Sequence, residues 1–144
     1  RVLLTKETTQ DVLSGARVNF SFFSLGIKNR KNLIHSNFLS KIFLKKKNFL
    51  RGIKTCNMSF FKKDCLNING FNEDFEGWGR EDSEFAVRLL NNGANRKNLH
   101  FNIIQFHMWH DENIRVSLRE NDLILKSSIK SNSKWCHNGI DKYL

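Results

Sequence analysis

The sequence predicts a mixed α/β unit, and three observations carry that expectation. Short apolar runs, "RVLLT" at 1–5 and "NLHFNIIQFHMWH" at 98–110, read as buried strands. Two stretches, one from Glu81 to Gly93 and one from Ser117 to Lys130, show the three- and four-residue apolar spacing of amphipathic helices. No segment repeats another and no linker interrupts the chain, so one core is expected.

The elements follow in order. Residues 8–18 are weakly helical after the first strand. "VNFSFFSLGI" (18–27) alternates roughly and predicts a strand or an extended segment. Over 28–51, "KNRKNLIHSNFLSKIFLKKKNFLR" interleaves cations with Leu33, Ile34, Phe38, Leu39, Ile42 and Phe43 at helical spacing. This basic amphipathic stretch is suited either to packing on the domain as a solvated helix or to contact with an anionic membrane. "TCNMSFFKK" (55–63) reads as a strand. "KDCLNING" (63–70) reads as a helical turn stopped by Gly70 in a left-handed cap. The helix after Glu81 turns Phe85, Ala86, Leu89 and Leu90 to one side and stops at Gly93. "SLRE" predicts a capping box of Ser117 with Glu120.

Composition narrows the classes. The 144 residues are 40% hydrophobic with 13 Phe and 3 Trp, which excludes a disordered chain. The net charge is +10, which favours an anionic partner. No apolar run approaches the roughly 18–20 residues needed to span a bilayer. The first ten residues lack a signal-peptide pattern and an initiator Met, so the chain is expected to be a piece of something longer. Cys56, Cys65 and Cys136 form no C-x-x-C pair, which predicts reduced thiols and a cytoplasmic location. No RNP, zinc-finger or helix-turn-helix signature accompanies the basic charge, so nucleic acid is not an expected partner.

Acid is concentrated in one place. "GFNEDFEGWGREDS" (70–83) packs five carboxylates, two Phe, one Trp and three Gly into 14 residues. Gly77-Trp78-Gly79 predicts a tight loop that presents an indole between two residues free to adopt positive φ. Arg80, Glu81 and Asp82 follow at the mouth of a helix. Acidic first-turn residues ordinarily serve only the helix dipole, contributing about 0.3–1 kcal/mol each. An aromatic ring beside carboxylates is also how proteins hold sugars, the ring covering the apolar face and the acids accepting hydroxyl protons. Downstream, "QFHMWHDEN" places His107 and His110 three residues apart. On a strand they face opposite sides, whereas at a bend they converge as two ligands for a metal.

Together "CNMSFFKKDCLNINGFNEDFEGWGREDSEFAVRLLNNG" (56–93) and "FHMWH" (106–110) resemble the C-terminal half of a GT-A glycosyltransferase. The similarity is to bacterial family 2 glycosyltransferases with a β-1,4-galactosyltransferase-like C-terminal domain. The resemblance implies an α/β fold, a mixed sheet flanked by helices, without its nucleotide-binding half. It divides the single partial domain into a strand with a basic excursion (1–54), an acceptor and metal segment (55–112), and a C-terminal helix and tail (113–144). Asp82 becomes the catalytic base. Trp78, Gly79, Arg80 and Glu81 bind substrate, and His110 and His107 hold a divalent cation, Mn²⁺ or Mg²⁺. The implied partners are a nucleotide-sugar donor and a glycan or lipid-linked acceptor. The implied reaction is inverting transfer in surface polysaccharide or lipopolysaccharide synthesis, in the cytoplasm or on the inner face of the membrane through 28–51. Arg80 stands where the galactosyltransferases carry Gly, and no D-x-D motif precedes residue 70. The isolated chain is therefore expected to be inactive. The competing expectation is a non-catalytic basic module that binds nucleic acid or an anionic membrane, or an inactive gene remnant.

Overall fold

The computed structural model describes residues 1–44 and 48–144, so Lys45, Lys46 and Lys47 of the basic stretch lie outside the described residues. The fold is mixed α/β, a small three-stranded mixed sheet flanked by helices, as the sequence predicts. The chain divides into two units, Arg1–Lys46 with Lys97–Glu112 and Lys47–Arg96 with Asn113–Leu144.

The first unit contains the sheet. Strand β1 (Val2–Leu4) lies between β2 (Ile27–Lys28) and β3 (Phe106–His107). It pairs antiparallel with β2, Leu4 opposite Ile27, and parallel with β3, Val2 opposite Phe106. Val2, Leu4 and Ile27 are buried together, with Val12, Phe20, Leu33 and Ile104 packed around them. Each such side chain contributes about 1.5–3 kcal/mol on full burial. Thr5 caps helix α1 (Lys6–Leu13) by accepting from the Thr8 N–H at 3.3 Å, while its own N–H donates to the Gly26 carbonyl at 2.9 Å. Gly26 has φ +74°, and a Cβ there would lie 1.9 Å from Thr8 Oγ1, so the crossing leaves no room for a side chain.

Two apolar segments of this unit contribute less to the sheet than full strands would. Of 18–27, only Ile27 joins the sheet. Ser24 Oγ accepts the Ser21 N–H at 2.8 Å and donates to the Asn19 carbonyl at 3.3 Å, taking backbone groups that a ladder needs. Of 98–110, only Phe106 and His107 pair. Phe101 takes φ +64°, and its carbonyl accepts the Ser36 N–H at 2.9 Å. Ser36 in turn caps α2 (Asn37–Phe43), accepting the Leu39 N–H at 3.2 Å. The helical spacing in the basic stretch is therefore real, though brief. Among the described residues no helix is long and apolar enough to cross a membrane.

The second unit is helical. "TCNMSFFKK" forms no strand: Thr55–Asn57 is a 3-10 turn, and α3 (Lys62–Asn67) begins within the segment. The left-handed cap of α3 falls on Asn69 (φ +66°), one residue before the expected Gly70; Gly70 follows at φ +69°, its N–H donating to the Cys65 carbonyl at 2.8 Å. Helices α4 (Glu81–Asn91) and α5 (Leu118–Lys130) pack together. Phe85 is fully buried and stacks on Phe71 at 4.2 Å and against Phe60 at 4.8 Å. Ser117 does not form the expected capping box. Its backbone lies at φ −86°, ψ 8° rather than the extended conformation such a cap requires, and its side chain makes no cap bond.

At the centre lies an ion pair. Arg88 and Glu84 are both buried, one turn apart on α4, and joined by two bonds of 2.8 Å from Nε and Nη2. Arg88 Nη1 also donates to the carbonyls of Ile68 and of Gly70, the latter at 2.9 Å. Ser128 Oγ on α5 donates to Glu84 Oε1 at 3.0 Å. Beside it, buried Asn69 donates to the Cys136 carbonyl at 2.8 Å and to Asp141 Oδ1 at 2.7 Å, and accepts the Asp141 N–H at 2.8 Å. Burial pushes the Cys65 and Cys136 thiols up from their ordinary value.

Arg88→Met should destabilise the protein by about 3–5 kcal/mol, because Glu84 is left buried and uncompensated. Urea unfolding followed by tryptophan fluorescence measures this. Glu84→Leu combined with Arg88→Met should recover most of the loss. A single-variant effect within experimental error of zero would remove the pair from its central role.

Candidate active site

The acidic segment is built within the second unit. Gly77 and Gly79 take φ +65° and +109°, so the Gly-Trp-Gly loop has the backbone expected of it. Trp78 is 40% exposed, and the Arg115 guanidinium lies over its ring at 4.5 Å from the centroid. The loop is held from α5: the buried Asn121 amide donates to the Glu76 carbonyl at 3.0 Å and the Gly79 carbonyl at 2.9 Å. Arg80 adopts φ +80°, the left-handed conformation natural to the Gly that the resemblance places there. Its Nε donates to Asp122 Oδ1 at 2.5 Å. Neither Asn121 nor Asp122 was singled out by sequence reasoning. The available signal was a polar residue at Asn121, in register with Ile124, Leu125 and Ser128 on the packed side of a helix.

The carboxylates of the segment separate into distinct tasks. Glu84 is the buried partner of Arg88 rather than an ordinary first-turn acid. Glu73 binds the C-terminal end: Lys142 Nζ lies 2.7 Å from its Oε2 and the Tyr143 hydroxyl donates at 3.0 Å. Asp74 accepts from the Asn138 amide at 2.9 Å. Glu81 and Asp82 open α4, both half-buried. Ser83 Oγ donates to Asp82 Oδ1 at 3.1 Å. Glu81 Oε2 is buried and, among the described residues, has no hydrogen-bond partner. Leaving such an acceptor unsatisfied costs about 1–3 kcal/mol, and more for a charged group.

The histidine turn belongs to the first unit. His107 ends β3, the chain bends, and the two imidazoles converge with centroids 5.2 Å apart at 67°. The bend is fixed on α1, where Thr9 Oγ1 accepts the Trp109 N–H at 2.8 Å and Lys6 lies 4.8 Å from the Trp109 ring centroid. His110 Nδ1 lies 2.8 Å from the Asp111 carbonyl, so a neutral ring that donates there has Nε2 as its acceptor. Two convergent imidazoles fit a cation as a partial ligand set. Among the described residues no group of three or more His, Cys, Asp or Glu converges as a metal site.

Residues 38–112, just over half of the chain, match the model of a family described as the N-terminal domain of galactosyltransferase. The chain belongs to this galactosyltransferase family. At that level it is a glycosyltransferase domain. The family description names an N-terminal domain, whereas the motif resemblance is to a C-terminal part; both are of a galactosyltransferase. No curated protein and no solved structure matches the chain. In this galactosyltransferase-family chain the matched span includes Trp78, Gly79, Arg80, Glu81, Asp82, His107 and His110, while Arg115 and the loop-holding Asn121 lie beyond it.

Asn121→Ala should free the loop between Glu76 and Gly79, read as faster amide hydrogen exchange over residues 76–80 with little change in α4; unchanged exchange would remove Asn121 as the loop's anchor. Acid should release the C-terminal end. The Lys142 ammonium, which donates a hydrogen bond to Glu73, holds the Glu73 carboxyl below its usual value, and Glu73 raises Lys142. The tie therefore holds above the ordinary Glu value, is lost as pH falls through the lowered one, and is lost again when Lys142 deprotonates. The ring resonances of Tyr143, the sole tyrosine, should shift in acid, and Glu73→Gln should abolish that shift.

Proposed function

We propose that the chain supplies the acceptor side of an inverting glycosyltransferase that uses a nucleotide-sugar donor and a glycan or lipid-linked acceptor in surface polysaccharide or lipopolysaccharide synthesis. Glu81 carries the reading. A buried carboxylate oxygen without a partner among the described residues, two residues from a constrained indole loop, is an acceptor waiting for a donor, and sugar hydroxyls are donors. Trp78 covers the apolar face of the sugar, and Gly79 and Arg80 shape the loop beneath it. Asp82 takes the proton of the acceptor hydroxyl. The freed oxygen attacks the anomeric carbon in line as the bond to the nucleoside diphosphate breaks, which inverts the configuration. His110 and His107 would hold the divalent cation, Mn²⁺ or Mg²⁺, whose chemistry is to neutralise charge on the leaving diphosphate.

The experiment has two arms. Tryptophan fluorescence titration with a glycan panel should show saturable binding that Trp78→Ala and Glu81→Gln weaken; equal binding by both variants would remove the acceptor site. In nucleotide-sugar turnover with Mn²⁺, the chain joined to a D-x-D-bearing donor domain should be active. Asp82→Asn should lower that rate by about 10²–10⁴-fold without lowering Tm. His110→Ala should weaken Mn²⁺ binding by about 10–100-fold in electron paramagnetic resonance titration. Retained turnover in Asp82→Asn would exclude it as the base.

A further inference from the structure

Charge is segregated along this chain. Between Asp11 and Asp64 there is no acidic residue, yet 12 of the 24 Lys and Arg fall there. Helix α2 sits inside that run, in the first unit. Its inner side is fixed: Leu39 is half-buried, Phe43 packs on Phe101 at 5.4 Å between centroids, and Ser36 caps the start. Its outer side is apolar and uncovered. Phe38 is 72% exposed and Ile42 53%, one turn apart and therefore side by side. Beside that row runs a cleft of about 290 Å³, mainly apolar, with Leu44 and Leu99 in its lining and Lys41, His100 and Asn102 as polar members. Lys41 stands between the row and the cleft.

The combination is specific. An exposed apolar row alone fits any hydrophobic partner. Here the cations that precede the row, Lys28, Arg30 and Lys31, and the cation within it, Lys41, meet no acidic residue of their own segment. Exposed apolar side chains on a run that carries cations and no acid match an anionic bilayer surface, which offers an apolar boundary to the first and phosphates to the second. We propose that α2 and its flanking cations form a docking surface for an anionic lipid bilayer. Phe38 and Ile42 enter the headgroup boundary, and Lys41 meets a headgroup phosphate. This surface uses none of the residues proposed for sugar transfer, and its test does not depend on turnover.

The test is co-sedimentation of the full chain with vesicles of phosphatidylcholine alone or mixed with phosphatidylglycerol. Binding is expected to the mixed vesicles only and should weaken as salt is raised through the physiological range, where the Debye length falls to about 8 Å. Phe38→Ser with Ile42→Ser should reduce binding by about tenfold or more, and Lys41→Glu by about fivefold or more. Circular dichroism and Tm should stay unchanged, since these side chains are exposed. The proposal is overturned by equal binding to both vesicle types, by no binding to either, or by full binding of the Phe38/Ile42 double variant. Salt-sensitive capture of a single-stranded oligonucleotide without vesicle binding would assign the cations to nucleic acid and likewise overturn it.

Discussion

One guanidinium organises the second unit. Arg88 is fully buried, and its donors are spent on Glu84 and on the carbonyls of Ile68 and Gly70. An isolated charge in that position would be prohibitive, and the bidentate pair makes it tolerable. The planar fork is what allows one side chain to serve a carboxylate and two carbonyls in different directions, which a lysine ammonium on its flexible stem does not reproduce. Because those carbonyls immediately precede the acidic segment, the start of that segment and the helix that ends it are fixed to one another. Ser128 extends the same network to α5. Glu81 and Asp82 open the helix that this network holds, whereas the Gly77–Gly79 loop is held by Asn121.

The network also changes the meaning of the acidic segment. In sequence, its carboxylates form one undivided cluster. In space, Glu84 is neutralised internally, Glu73 and Asp74 tether the C-terminal end, and Arg80 is paired with Asp122. Glu81 and Asp82 remain as the acids at the helix mouth, with Glu81 holding an unsatisfied oxygen. A basic chain thus spends much of its scarce acid on architecture, and of the carboxylates left over Glu81 is the one with a buried oxygen that no partner among the described residues explains.

What could be read from the sequence was local. Helices α4 and α5 and the glycine turns at 70, 77, 79 and 93 depend on neighbours within a few residues, and all are present. The bend that brings His107 and His110 together was one of two conformations open to that spacing, and the structure takes it. The failures were cases where a distant group claims the backbone. Residues 98–105 lose their strand because the Phe101 carbonyl is bound by Ser36, and Ser117 loses its capping box in a turn packed near Gly77. Asn121 and Arg88 were missed for a related reason: a polar residue on an apolar helix side reveals its task only when its partners, 42 or 20 residues away in sequence, are placed. The roles of Asp82, Glu81 and the histidines rest on resemblance and geometry rather than on any spacing rule.

The cation over Trp78 has a consequence for affinity. The indole is not a vacant platform, because Arg115 already occupies one face at 4.5 Å. A ligand that needs that face enters by exchange, and its measured free energy is the difference between two stacked states. A ligand that uses the other face inherits a ring polarised and held still by the cation, so its ordering cost has been met in advance. Mobility of one arginine thus sets whether the aromatic loop behaves as a competitor or as a template.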